Sequence, residues 1–366
     1  MAAALRALGV SLTDSGDDWL ITGLVPGAPP AAPAVDLGNA GTVARFLPPV
    51  AALLAGDVTF DGDPRIRERP IRPLLAALRS LGAVVDGDAF PVTVRGRGAL
   101  PGGTVSVDAS GSSQLVSGLL LTGPLMTDGL TVRHEGPPLP SRPHVEMTVA
   151  MMRASGVSVE VGPDRWVVRP GTYAPLDLTV EPDLSSAAPF LAAAAVTGGT
   201  VTVAGWPSST TQPGAALPAL LERMGASYDL SPEGLTLRGP GTLAGLDADL
   251  RDAPEVAPVL AALCCVASSP SRLRGIAHLR LQETDRLRAL ATELTALGAR
   301  VTETDDGLAI TPGPLRGGTF HTYDDHRLAM AAAVLGLVVP GLSVENVETV
   351  GKTMPDFTER WATMLG

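Results

Sequence analysis

The chain has 366 residues, 45% of them apolar and only 4% aromatic, with a formal charge of −11. That length suits two domains better than one, and with so few rings the core must be filled by Ala, Val and Leu. The acidic balance excludes nucleic acid and anionic membrane as partners, since both reward a basic face, and an anionic ligand has to find a locally positive pocket.

The first predicted element is a helix, "MAAALRALGV", closing on Gly9; after it "SLTDSGDDWLITG" sets two short apolar runs around a Ser-Gly-Asp-Asp turn. The same succession returns at "LLAALRSLGAVVDGDAFPVTVRG", "VAMMRASGVSVEVGPDRWVVRPG", "PALLERMGASYDLSPEGLTLRGPG" and "ATELTALGARVTETDDGLAITPG". In each, apolar residues at helical spacing stop at a glycine suited to a left-handed C-cap, and period-two alternation follows on both sides of a turn. A sixth such helix is "FTERWATMLG". The closing glycines, Gly9, Gly82, Gly156, Gly225, Gly298 and Gly366, recur at intervals of 68 to 74 residues, about 71 on average, which is a repeat signature.

Between one hairpin and the next closing helix lies a further helix and strand, as in "GTVARFLPPVAALLAGDVTFDG" and "SSQLVSGLLLTGPLMTDGLTVRH". Helices alternating with mixed strands predict an α/β fold of two similar domains, three units each. The joint is expected in the Pro- and Asp-rich "YAPLDLTVEPDLSS", with a hinge near 176–184 and domains over 1–180 and 181–366. The first unit shows only its last nine residues before its hairpin. The period therefore calls for about 62 residues upstream, and Met1 is expected to be an internal start.

Cys264 and Cys265 are adjacent in "LAALCCVAS" and make no disulfide framework; they read as small core residues of a reducing compartment. The longest apolar run, "LAMAAAVLGLVVPGL", is short of a membrane span and broken by Gly and Pro, and no basic segment precedes an apolar one at the N-terminus. A soluble cytoplasmic protein is expected. Lys352 is the one lysine beside 26 arginines. Where every other basic position uses Arg, a retained Lys suggests a place that wants a compact ammonium.

Polar residues gather at helix starts. "LGNAGTVARF" puts Asn39, Gly41 and Thr42 at a helix N-terminus with Arg45 one turn on, and "ASGSSQLV" does the same with Ser112, Ser113 and Gln114. Free N–H groups and the macrodipole favour anions there, although each start taken singly equally suits a capped core helix. Loops before the closing helices carry guanidinium and carboxylate groups: Arg65, Arg67, Arg69 and Arg72 in "RIRERPIRPLL", Glu283, Asp285 and Arg286 in "LQETDRLRAL", Asp325, His326 and Arg327 in "YDDHRLAM". Planar forks bind carboxylate and phosphate bidentately, so several fixed arginines in an acidic protein suit a doubly anionic small molecule. Surface ion pairing is the plain alternative for most of them, and an i, i+3 helix pair for Glu283 and Arg286.

The segments "LGNAGTVARF", "RERPIRPLLAALRSLGA", "SSQLVSGLLL", "LPSRPHVEMT", "QETDRLRALATELTALGA", "YDDHRLAMA" and "GKTMPDF" span the whole chain. In this order and spacing they resemble the 5-enolpyruvylshikimate-3-phosphate synthase family, the 3-phosphoshikimate 1-carboxyvinyltransferases, and their substitutions are most similar to its actinobacterial branch. The resemblance implies the enolpyruvyl transferase fold, two domains of three βαβαββ units, with the first unit here largely missing. It also implies transfer of the enolpyruvyl group of phosphoenolpyruvate to the 5-hydroxyl of shikimate 3-phosphate in aromatic amino acid biosynthesis, releasing phosphate, by a monomer without metal or organic cofactor.

Carried over by motif, Ser112, Ser113, Gln114 and Ser141 hold shikimate 3-phosphate, while Gly41, Arg69, Gln114, Arg286, Arg327 and Lys352 hold phosphoenolpyruvate. Glu283 and Glu255 become the acid and base candidates with Lys352 beside them, Glu255 standing where the family often has Asp. Asn39, Arg45 and His326 are supporting candidates. His278 and Gln282 fall at further shikimate 3-phosphate positions, where the family commonly has Asn and Lys; Gln282 donates a hydrogen bond but brings no charge. His144 likewise replaces a common Tyr. The family's first motif, "GSKS..NRA", has no counterpart in this sequence, so weak activity is expected of the chain as written.

Two rivals stand beside this reading. UDP-N-acetylglucosamine enolpyruvyl transferase shares the repeats but uses a Cys in a mobile loop, whereas both cysteines here fall in an apolar helix. A non-catalytic remnant would keep the fold as a binding module for phosphorylated metabolites. Phosphate release tested with both enolpyruvyl acceptors separates the three.

Overall fold

The glycines that punctuate the sequence end helices as their spacing predicts. In the computed structural model, which describes residues 1–366, Gly9, Gly82, Gly156, Gly225, Gly298 and Gly366 all have φ between +83° and +115°, a region where a Cβ is strained. The chain divides into two compact units, Met1–Asp177 and Leu178–Gly366, each with its own apolar core.

The first unit opens with α1 (Ala2–Leu8) and the hairpin β1 (Ser11–Ser15) and β2 (Asp18–Thr22). One full repeat follows: β3 (Ala34–Asp36), α2 (Gly41–Ala51), β4 (Ala55–Asp61), α3 (Pro64–Glu68), α4 (Arg72–Ser80), β5 (Val84–Asp86) and β6 (Val92–Arg97). A second adds β7 (Gly103–Val107), α5 (Gln114–Thr122), β8 (Leu130–His134), α6 (Arg142–Ala154), β9 (Val159–Val161) and β10 (Arg165–Val168). Their sheets run β3-β4-β6-β5 and β7-β8-β10-β9, the first pair parallel and the others antiparallel. A parallel pair needs a crossover, which α2 and α5 supply, and an antiparallel pair only a turn.

The second unit contains α7 (Leu184–Thr197), β11 (Thr200–Ala204), α8 (Leu217–Arg223), β12 (Ser227–Ser231) and β13 (Gly234–Arg238). Then come β14 (Asp247–Asp249), α9 (Ala257–Cys265), β15 (Ser271–Arg274), α10 (Arg286–Ala296), β16 (Arg300–Glu303) and β17 (Leu308–Thr311). The last elements are β18 (Thr319–Phe320), α11 (His326–Gly336), β19 (Ser343–Val344) and α12 (Phe357–Leu365). The order β14-β15-β17-β16 repeats that of the first unit.

Three sheets fall short of the four strands that the βαβαββ pattern gives: β1-β2 and β18-β19 have two each. β11-β13-β12 has three strands, because residues 176–181, at the place of the leading parallel strand, adopt no strand. They lie between Pro175 and Pro182, neither of which can donate to a ladder, and Leu178 and Val180 are exposed.

Helices apolar on every side must be buried, and α5, α7, α9 and α11 are. Close packing there depends on small residues: a Cβ on Gly118 of α5 would overlap the carbonyl oxygen of Arg45 in α2. No helix is long and apolar enough to cross a membrane.

Candidate active site

In the first unit the polar residues converge on the start of α2. Arg45 and Arg69 are both buried. Arg45 Nη1 donates to Gln114 Oε1 at 2.9 Å, and Arg69 Nη1 donates to the backbone oxygen of Asn39 at 3.1 Å and to its Oδ1 at 3.3 Å. Gly41, the first residue of α2, fits between the two guanidinium groups. A Cβ there would stand 2.5 Å from Arg45 Nη1 and 2.6 Å from Arg69 Nη2. Two cations beside a helix N-terminus form a setting for an anion. Ser112 and Ser113 are buried at the entry to α5, so the bond from Arg45 to Gln114 ties that entry to α2. Ser141, in the left-handed region at φ +50°, opens a different helix, α6, and is buried there.

Of the four arginines in "RIRERPIRPLL", only Arg69 turns to this place. Arg65 pairs with Glu68 at 2.7 Å, Arg67 makes a two-bond pair with Asp61, and Arg72 is exposed at the start of α4. Arg65 and Arg67 thus make ion pairs of the kind expected at a surface.

The second unit builds a charged relay. Glu283 Oε1 accepts from Lys352 Nζ at 2.6 Å and Oε2 accepts from Arg286 Nη2 at 2.9 Å. Arg286 also donates Nε and Nη2 to the two oxygens of Asp325, at 2.7 and 3.2 Å. Asp325 is fully buried and caps α11 by accepting the N–H of Arg327 at 2.9 Å. The Arg327 side chain crosses to the start of α7, donating to Ser185 O at 2.6 Å, where Asp183 caps the helix through the N–H groups of Ser185 and Ser186.

The electrostatics differ across this set. Burial alone would push the Arg286 guanidinium down, but Asp325 and Glu283 outweigh it and hold it above its ordinary value. Arg327 goes the other way, lowered by burial. His326 is lowered to about 2, by burial and by the charges of Arg327 and Arg286, so its imidazole is neutral. Glu255 lies in the 3₁₀ turn Pro254–Val256 ahead of α9, and its charge raises both Arg286 and Arg327. His278 is buried in the 3₁₀ segment Ala277–Leu281, and Gln282 follows it, one residue before Glu283.

Asp325 is the pivot of this set, and sequence reasoning gave it no role. Its signal was the Asp-Asp-His-Arg run before an apolar helix, the composition of an N-cap. Glu293 of α10, buried at 3% exposure, was passed over inside the helix pattern. Cys264 and Cys265 are buried in α9, and burial pushes the Cys264 thiol up to about 11. Neither is placed as a loop nucleophile. A cavity of about 870 Å³ in this unit, lined among others by Phe190, Thr202, Met354 and Thr363, includes Asp183 and Ser186 of the α7 cap but none of the residues assigned to substrate by motif.

A family model for EPSP synthase (3-phosphoshikimate 1-carboxyvinyltransferase) matches residues 1–361. An EPSP synthase structure from Acinetobacter baumannii is similar with 28% identity and a TM-score of 0.77, covering 99% of this chain and 86% of that one. A second EPSP synthase structure from the same organism gives 27%, 0.76 and the same coverage. The enolpyruvyl transferase NikO from Streptomyces tendae shares the fold at 21% identity and a TM-score of 0.71, over 99% of this chain and 85% of that one.

Proposed function

We propose the following roles for these residues from the fact that this chain belongs to the EPSP synthase family. Its activity is enolpyruvyl transfer in the shikimate pathway: the enolpyruvyl group of phosphoenolpyruvate moves to the 5-hydroxyl of shikimate 3-phosphate, and phosphate leaves. Ser112, Ser113, Gln114, Ser141, Glu255, His278 and Gln282 hold shikimate 3-phosphate. Gly41, Arg69, Gln114, Arg286, Arg327 and Lys352 hold phosphoenolpyruvate, and Asn39, Arg45 and His326 support them. The enzyme works as a cytoplasmic monomer with no nucleic-acid partner.

The observation that carries the chemistry is the Glu283–Lys352 pair, 2.6 Å apart beside Arg286. Addition requires a proton on the methylene carbon and removal of one from the attacking hydroxyl. Glu255 takes the hydroxyl proton as the oxygen bonds to C2 of phosphoenolpyruvate. The Glu283–Lys352 pair delivers a proton to C3, giving a methyl group. In the elimination the same pair takes a methyl proton back, the C2–O bond to phosphate breaks, and the proton held by Glu255 leaves with phosphate. Arg286 and Arg327, fixed by Asp325 and Ser185, carry no proton in this scheme; they hold anionic groups.

Glu283→Gln keeps the side-chain shape and removes the titrating carboxylate. The expected result is a fall in kcat of about 10²-fold or more, with phosphoenolpyruvate still bound in a direct titration. A kcat within threefold of the parent would contradict the proton role.

A further inference from the structure

Glu293 is buried in α10 among Leu287, Ala289, Leu290 and Leu294, with Arg286 the other buried charge of that helix, and a buried carboxylate needs an explanation because desolvating it is costly unless it is hydrogen-bonded. Glu293 is bonded twice, both times to the loop that precedes α11. Its Oε2 accepts the N–H of His321 at 3.0 Å and its Oε1 accepts the hydroxyl of Tyr323 at 2.7 Å. That loop is strained. Tyr323 and Asp324 stand at φ +53° and +55°, in the left-handed region that side chains with a Cβ avoid. Such conformations persist only where the surroundings over-determine them.

The same loop is fastened on its other side. Asp324 Oδ1 accepts from Asn346 Nδ2 at 2.6 Å, and His321 Nδ1 lies 2.7 Å from Glu345 Oε2. Asn346, at φ +48°, immediately precedes the 3₁₀ segment Val347–Lys352, which ends at the lysine bonded to Glu283. Of the four non-glycine residues with positive φ in the chain, three lie in this assembly, the fourth being Ser141. The loop then delivers Asp325, the partner of Arg286 and the cap that sets Arg327. Glu293 and Arg286 belong to one helix, α10, seven residues apart.

We propose that Glu293 is a positioning residue: it latches the strained loop 321–325 to α10 and thereby fixes Asp325 with Arg327 on one side and the Asn346-to-Lys352 segment on the other. It touches no substrate. Its effect is on phosphoenolpyruvate binding, and so it rests on the reading of Arg327 and Lys352 as groups that hold that substrate.

The test is steady-state kinetics of the full chain carrying Glu293→Ala, Glu293→Gln or Tyr323→Phe, with Lys352→Ala in parallel and a thermal melt of each. A small misplacement of binding groups, even one caused from a distance, costs a large factor in kinetics. Glu293→Ala should raise KM for phosphoenolpyruvate about tenfold or more and leave KM for shikimate 3-phosphate within about twofold. Glu293→Gln, whose amide accepts from His321 N–H and donates to the Tyr323 oxygen, should return KM to within about threefold of the parent. A purely structural role predicts a lowered melting point with KM unchanged.

The latch is overturned by a cooperatively melting Glu293→Ala with unaltered KM for phosphoenolpyruvate, or by Ala and Gln variants that behave alike. If Glu293→Ala does not fold, Tyr323→Phe, at an exposed ring, decides: a severalfold rise in KM for phosphoenolpyruvate supports the latch and an unchanged value overturns it. Lys352→Ala separates the two layers. Raised KM there with unmoved latch variants overturns the latch alone, while unmoved KM in Lys352→Ala overturns the binding role and the latch with it.

Discussion

His326 illustrates how far burial decides a residue's chemistry. It is 4% exposed, between Arg327 and the Arg286–Asp325 pair, and its pKa falls from 6.5 to about 2. Burial is the first cause, the charges of Arg327, Arg286 and Lys352 add to it, and Glu283 opposes. The folded chain therefore stays unprotonated where the unfolded chain binds a proton, so stability is full above pH 6.5 and falls as pH drops below it. One such proton corresponds to about 1.4 kcal/mol per pH unit. Denaturant titrations between pH 7 and pH 4 should show the parent losing stability more steeply than His326→Asn by about that slope; parallel curves would mean that the imidazole titrates freely in the fold. Residue types and motif order name Arg69, Glu283, Arg286, Arg327 and Lys352 as candidates, and the last four lie in one connected set of bonds or beside it. Asp325 and Glu293 were not legible in the same way, because a carboxylate becomes a pivot or a latch only through partners distant in sequence: 39 residues for Arg286 with Asp325 and 30 for Glu293 with Tyr323.

At the scale of elements, the glycine-closed helices and their hairpins could be read directly, since a left-handed C-cap and a period-two alternation are local properties. The strand order β3-β4-β6-β5 and its two repetitions lay outside such reading, and so did the loss of the leading strand at 176–181, where the alternation "LDLTVE" is present and yet no partner strand is engaged. Helix packing was equally hidden. Gly118 is unremarkable in sequence, yet it lets α5 approach α2 so closely that a Cβ would meet the Arg45 backbone. Gly118→Ala should destabilise the chain by about 1–3 kcal/mol, the usual cost of overpacking, and should weaken the Arg45–Gln114 bond that joins the two helix starts. Equilibrium unfolding with stability unchanged within about 0.5 kcal/mol would show that the helices separate without cost.

Across the whole molecule, a chain of charge −11 gathers cations at two places: Arg45 and Arg69 at the start of α2 in the first unit, Arg286, Arg327 and Lys352 around Glu283 in the second. Each group is held by named oxygens of its own unit. The most direct test is phosphate release by the purified 366-residue chain from phosphoenolpyruvate, measured alone, with shikimate 3-phosphate and with UDP-N-acetylglucosamine. Release only with shikimate 3-phosphate, one phosphate for each enolpyruvyl ether formed, is the predicted result. A folded chain that releases no phosphate with shikimate 3-phosphate, or releases it equally with the nucleotide sugar, would contradict the assignment.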